Sequence, residues 1–115
     1  MANYENIAPL IENNVPRLEG KILHEEDPKS IPAFIGLIHK YLPQRALYFL
    51  KRFQHIYPNN KEVIAFCYYH FGKNYAGITP HDSHMNFTRA LELFVELNHE
   101  IGIELTHAAL MELDK

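Results

Sequence analysis

The sequence predicts an all-α protein of about six to seven helices, packed as antiparallel helical hairpins or as a simple bundle. Apolar residues recur at helical spacing along most of the chain, whereas no segment alternates with the period of two that a strand requires. Prolines divide the helical segments at short intervals, as expected for helices joined by short turns. Hydrophobic residues make up 47% and charged residues 22% of the chain, so we expect residues 1–115 to form one globular domain.

Prolines and cap residues locate the helices of the first half. Two short helices are predicted at about 3–13 and 16–26. Ser30 is a candidate cap for the next helix. Its predicted apolar face consists of Ile31, Phe34, Ile35 and Ile38. Pro43 ends this helix and opens another, which Pro58 ends.

The segment VIAFCYYHF is ambiguous, because its β-branched and aromatic residues suit a buried strand as well as a helix. Two neighbouring signals favour a helix. Asn59 and Glu62 have the spacing of a capping box, and Gly72 lies where such a helix would end.

The last third begins with a strong helix start, in which Thr79 is the cap and Pro80 the first helical residue. We expect this helix to continue to Ile101, with Gly102 as its stop. A short terminal helix, ELTHAALMEL, follows.

Charge is distributed unevenly, although the formal net charge is only -3. Six cationic residues and no Asp or Glu lie between Pro28 and Lys61. Six acidic residues and no Lys or Arg lie between Glu92 and Asp114. This asymmetry predicts association through charged faces.

One face of helix 44–57 is the first candidate binding surface. This face consists of Arg45, Tyr48, Arg52 and His55, which are spaced i, i+3, i+7 and i+10 along the helix. Lys40 and Lys51 lie nearby in the sequence. Arginine beside tyrosine is suited to carboxylate or phosphate groups, although a simple solvated helix face has the same pattern. We expect no nucleic-acid binding, because the chain is acidic overall.

A second candidate surface is acidic and repeats every four residues at Glu92, Glu96, Glu100 and Glu104. Like charges at this spacing repel one another in an isolated helix, so a basic neighbour is expected. Three explanations stay open: helix 44–57 packs beside this helix, the two faces meet between subunits, or a basic partner binds here.

Histidines raise the question of a metal site. His81 and His84 are three residues apart, and Glu-x-x-His spacing, as in carboxylate-bridged di-iron bundles, occurs at Glu96–His99 and Glu104–His107. Glu96 and His99 fall off the predicted apolar face, so we expect surface histidines and no bound metal.

The single cysteine raises the question of catalysis. Cys67 precedes His70 by three residues, but it lies in an apolar row, so we expect a buried thiol and not a nucleophile. We predict no catalytic residue and no cofactor. A haem site using His70 has no further support.

The middle of the chain matches the offsets of a known repeat. This repeat consists of two helices. Ala46, Leu50 and Phe53 have the spacing of its second helix, and Pro58 stands where its closing proline would be. The next first helix would use Ile64, Cys67, Tyr68 and Phe71. A further second helix would use Ala90, Phe94 and Leu97, with Gly102 in place of the proline. From about residue 30 to 102 the chain therefore resembles a tetratricopeptide-like helical repeat, which implies a peptide- or protein-binding scaffold.

These observations predict a small cytoplasmic protein-interaction module without catalytic activity. The N-terminal residues lack the pattern of a signal peptide, and no apolar run is long enough to cross a bilayer, so no membrane association is expected. The partner would be a protein or peptide, including a second copy of the chain. An alternative is a bacterial toxin-immunity protein that uses its acidic face, and a third is a metal- or haem-binding helical protein.

Overall fold

The computed structural model describes residues 30–114, and within this range the chain is helical with no strand. Its five helices are α1 Ser30–Tyr41, α2 Pro43–Ile56, α3 Lys61–Tyr75, α4 Pro80–Glu96 and α5 Glu100–Leu113. The all-α prediction is confirmed for these residues. The helices predicted at 3–13 and 16–26 lie outside the described residues.

The helices are arranged as consecutive hairpins. α1 packs against α2, and α3 packs against α4 in the most extensive contact of the described fold. The first helices of the two hairpins, α1 and α3, also pack against each other, while α5 packs mainly on α4. α2 contacts neither α4 nor α5. None of the described helices is both long and apolar enough to cross a membrane.

The core is built largely from phenylalanine. Its most completely buried rings, each no more than 2% exposed, are Phe49, Phe53, Phe71, Phe87 and Phe94. Burying each such side chain contributes about 1.5–3 kcal/mol relative to leaving it in water. α1 adds three isoleucines from the predicted apolar face, Ile31, Ile35 and Ile38. The predicted face of α1 is confirmed, with Phe34 at its partly buried edge.

The ends of α3 differ from the prediction. Asn60, and not Asn59, is the cap, and its side chain accepts a hydrogen bond from the Val63 amide at 3.4 Å. Gly72 does not end the helix, which continues to Tyr75. Gly72 instead allows close packing: a Cβ atom there would lie 2.6 Å from the Phe87 ring of α4. The α4 start is confirmed at Pro80, with Thr79 in the cap position.

The helix predicted to run from Pro80 to Ile101 is broken after Glu96. Asn98 has φ 53°, in the left-handed region that Asn tolerates better than most residues. The Asn98 amide donates to the Val95 carbonyl at 3.1 Å. The His99 amide donates to the Phe94 carbonyl at 2.9 Å. These two bonds form a Schellman C-cap, so the predicted stop at Gly102 is wrong.

His99 then starts α5. The Gly102 amide donates to His99 Nδ1 at 2.9 Å, so the imidazole replaces the usual Ser, Thr, Asp or Asn cap. Because Nδ1 accepts, the neutral ring carries its proton on Nε2 and donates to Glu62 Oε1 of α3 at 2.9 Å. His99 therefore connects the start of α5 to α3.

Gly102 lies inside α5 at its closest approach to α4, where a Cβ atom would overlap the Phe94 ring. We expect Gly102→Ala to lower the free energy of unfolding by about 1–3 kcal/mol, since overpacking outweighs the better helix propensity of alanine. Urea unfolding measures this change. Gly77→Ala is the matched control, because its added methyl group meets no atom within 4 Å; equal losses at both positions would contradict the packing role of Gly102.

The cap function of His99 is separable from its bond to Glu62. We expect His99→Ala to lower the free energy of unfolding by about 1–2 kcal/mol, because it removes both. His99→Asn should cost less, since asparagine is itself a good helix cap. Equal unfolding midpoints for the two variants would show that the cap contributes nothing.

Candidate interaction surface

The outer face of α2 carries the predicted basic stripe. Arg45 and His55 are exposed, as is the neighbouring Lys51, and Tyr48 has an exposed fraction of 48%. The opposite face of α2 is fixed in the core by Ala46, Phe49, Leu50 and Phe53. Because the apolar face is buried, the polar face must point to solvent.

Tyr48 and Arg52 lie one turn apart and contact each other. The Arg52 Nη1 atom donates to the Tyr48 hydroxyl at 3.1 Å, and the guanidinium carbon lies 5.9 Å from the ring centre. This contact limits the rotamers of both side chains. Less conformational entropy would then be lost when the arginine binds a carboxylate.

A second tyrosine–arginine pair lies on the α3–α4 hairpin. The Arg89 guanidinium carbon is 6.0 Å from the ring centre of Tyr68, which is partly buried. Both residues line an open depression of about 480 Å³ on the surface of α4. Its other lining residues are His84, Met85, Asn86, Thr88 and Glu92. The sequence-based search missed this pair, because its members are 21 positions apart and only the packing of α3 on α4 brings them together.

The acidic stripe is divided between two helices. Glu92 and Glu96 lie on α4, whereas Glu100 is the first residue of α5 and Glu104 follows on the same helix. Arg89 Nη1 is 3.5 Å from Glu92 Oε2, and Lys61 pairs with Glu96. The explanation that α2 neutralises this stripe is wrong, because α2 contacts neither α4 nor α5.

The histidines differ in burial. Those that are exposed, as expected, are His55, His81, His84 and His107. His39 is buried, and His70 and His99 are intermediate, so the expectation of a surface residue is wrong for His99. In the described part of the chain, no three side chains of the metal-binding types His, Cys, Asp and Glu come together.

Cys67 is fully buried, as predicted. Burial raises the pKa of the Cys67 thiol strongly, because the apolar surroundings disfavour the thiolate. The thiol is therefore in its protonated, unreactive form at neutral pH.

His39 and His70 lie at the contact between α1 and α3. The Asn74 Nδ2 group donates to the Gly36 carbonyl at 2.9 Å and to His39 Nδ1 at 3.1 Å. The His39 ring stacks on Phe71 with centres 4.1 Å apart. Burial lowers the pKa of His39, and burial together with the charge of Lys73 lowers the pKa of His70.

Comparison of the chain with protein-family models, with curated proteins and with solved structures finds no match. The resemblance to a tetratricopeptide-like repeat therefore stays a prediction.

The lowered pKa values of His39 and His70 predict lower stability in acid. As the pH falls through about 6.5, the unfolded chain binds protons at these two residues that the folded chain does not. The free energy of unfolding should be constant above about pH 7.5 and decrease below about pH 6.5. Urea unfolding across this range measures the slope.

His39→Gln should make that decrease smaller and leave the part that is due to His70, whatever its effect on stability at neutral pH. His81→Gln, at an exposed position, is the matched control. An unchanged slope in His39→Gln would show that other groups cause the acid sensitivity.

Proposed function

We propose that this chain is a small cytoplasmic protein-interaction module without catalytic activity, which binds an acidic segment of a partner through the outer face of α2. Arg45, Lys51 and Arg52 would hold carboxylates of the partner, and Tyr48 would contribute contact area. His55 lies at the end of the same face.

The exposed positive charges of Arg45 and Lys51 carry this proposal. Arg45 and Lys51 are exposed, and neither makes a hydrogen bond or ion pair with another described residue. The sequence between Pro28 and Lys61 contains no Asp or Glu that could neutralise them locally. Arginine and tyrosine are also the residue types that most often dominate binding energy at protein interfaces.

The hairpin arrangement supports a tetratricopeptide-like scaffold as part of the proposal. α1 pairs with α2, α3 pairs with α4, and α1 packs on α3. α1 and α3 begin at Ser30 and Lys61, an interval close to the repeat length of about 34 residues. α5 begins at Glu100, a longer interval, because α3, the α3–α4 connection and α4 are each three residues longer than α1, the α1–α2 connection and α2.

The basic face has better support than the toxin-immunity alternative. That alternative relies on the negative charge of four glutamates, two on α4 and two on α5. Glu92 and Glu96 are also paired within the chain, which leaves less negative charge for a basic active site.

Charge reversal on α2 tests the proposal. We expect the double substitution Arg45→Glu with Lys51→Glu to weaken binding of a fluorescent Asp/Glu-rich peptide about tenfold or more, since both contacts become repulsive. The control for general charge compares the single change Lys51→Glu with Lys73→Glu, an exposed lysine on α3, because both change the net charge equally. Lys73→Glu should bind like the unmodified chain. Equal weakening by both changes would mean that the peptide responds to net charge and not to α2.

A second copy of the chain would supply an acidic segment in its residues 92–114. Light scattering at low and high salt separates this case from a foreign partner, because a dimer held by these charges dissociates as salt screens them. A mass that stays monomeric at both salt concentrations would exclude the second copy.

A further inference from the structure

α5 exposes an apolar surface on its outer side. The exposed fractions are 65% for Ile101, 42% for Leu105 and 58% for Met111, and Ala108 is also exposed. Only Gly102 and Thr106 of this helix are fully buried. Ile101, Leu105 and Ala108 recur at i, i+4 and i+7, so they form one stripe along the helix. We call the four residues Ile101, Leu105, Ala108 and Met111 the α5 stripe.

The stripe has no cover among the described helices. α5 packs mainly on α4, makes a smaller contact with α3, and touches neither α1 nor α2. Apolar residues at this spacing are what an amphipathic helix uses when it packs against another helix. A helix laid along α5 would bury the stripe as α4 buries the other side.

Charge restricts which helix can bind. No Lys or Arg lies between Glu92 and Asp114. Glu100 and Glu104 lie along one side of the α5 stripe, and neither forms an ion pair with another described residue. An apolar helix with basic flanks would satisfy both the stripe and these carboxylates, whereas an acidic helix would be repelled.

A second copy of this chain does not supply such a helix from its described residues. The basic helix α2 has its apolar residues Ala46, Phe49, Leu50 and Phe53 buried in its own core. Pairing of α5 with α5 would bring the unpaired glutamates of two copies together. Residues 1–29 hold six acidic and three basic residues, so they are not a basic segment either. The occupant is therefore a segment of a different protein.

We infer that the α5 stripe, with Glu100 and Glu104, is a docking site for a basic amphipathic helix of a partner protein. This site is separate from the basic face of α2 and takes a partner of opposite charge. The two surfaces can therefore be tested independently.

The probe is a fluorescent synthetic peptide of about 18 residues, with leucine at helical spacing and lysine elsewhere. The control peptide has the same leucine positions with glutamate in place of lysine. We expect the lysine peptide to bind, as measured by fluorescence anisotropy, and the glutamate peptide not to bind. Absence of binding by the lysine peptide overturns the inference.

Two matched pairs of variants locate the site. Leu105→Ser should weaken binding about tenfold or more, whereas Leu37→Ser, on α1 and 50% exposed, should not. Glu104→Lys should likewise weaken binding more than Glu92→Lys, which changes the net charge equally on α4. All four positions are on the surface, and circular dichroism checks that each variant is folded.

Three results would contradict the inference. Equal weakening in Leu105→Ser and Leu37→Ser would show that the stripe is not the contact. If Glu104→Lys weakened binding of the lysine peptide and Leu105→Ser did not, the peptide would be held by charge attraction alone. Salt-resistant self-association that Leu105→Ser abolishes would assign the stripe to a second copy. The variant with both Arg45→Glu and Lys51→Glu should still bind the lysine peptide. Failure of the α5 inference would therefore leave the proposed function of α2 untouched.

Discussion

The central position of α3 constrains the other four described helices. α3 contacts α1, α2, α4 and α5, and its buried residues are distributed around the helix instead of along one stripe. A helix packed on several sides needs apolar residues on several sides, which explains why the segment VIAFCYYHF also suits a strand. Small residues set the spacing: at Gly72 the backbone of α3 comes within van der Waals contact of the Phe87 ring, and the Ser83 hydroxyl donates to the Gly72 carbonyl at 2.7 Å.

The same arrangement explains why the opposite charges of the chain do not cancel. α2 packs mainly on α1, and α5 packs mainly on α4, so the α1–α3 layer separates the basic helix from the acidic one. Within the described residues, Lys61 pairs with Glu96 and Arg89 with Glu92, and neither of these cations lies on α2. The charge asymmetry of the sequence therefore becomes two separate surfaces of the fold.

Sequence patterns predicted the helical class and the two proline-marked starts, since Pro43 and Pro80 stand in the first turns of α2 and α4. They did not predict the break between α4 and α5. The sequence predicts a stop at Gly102, but the chain uses Asn98 in the left-handed region and His99 as the cap. Gly102 serves helix packing, a role that depends on where the Phe94 ring lies in three dimensions. The α2 face was predictable because it depends on one helix, while the Tyr68–Arg89 pair and the α5 stripe depend on contacts between helices.

The two surfaces would respond differently to salt. The α2 face offers charge and one partly exposed aromatic ring, so an acidic partner would gain most of its attraction from interactions that salt screens. The α5 stripe offers apolar area beside carboxylates, and the burial of that area does not weaken as salt rises. Salt should therefore affect association at α2 strongly and at α5 only in part. Of these two surfaces, α5 is the one we expect to hold a partner at high salt, because the only large apolar side chains that α2 exposes are Leu47 and Tyr48.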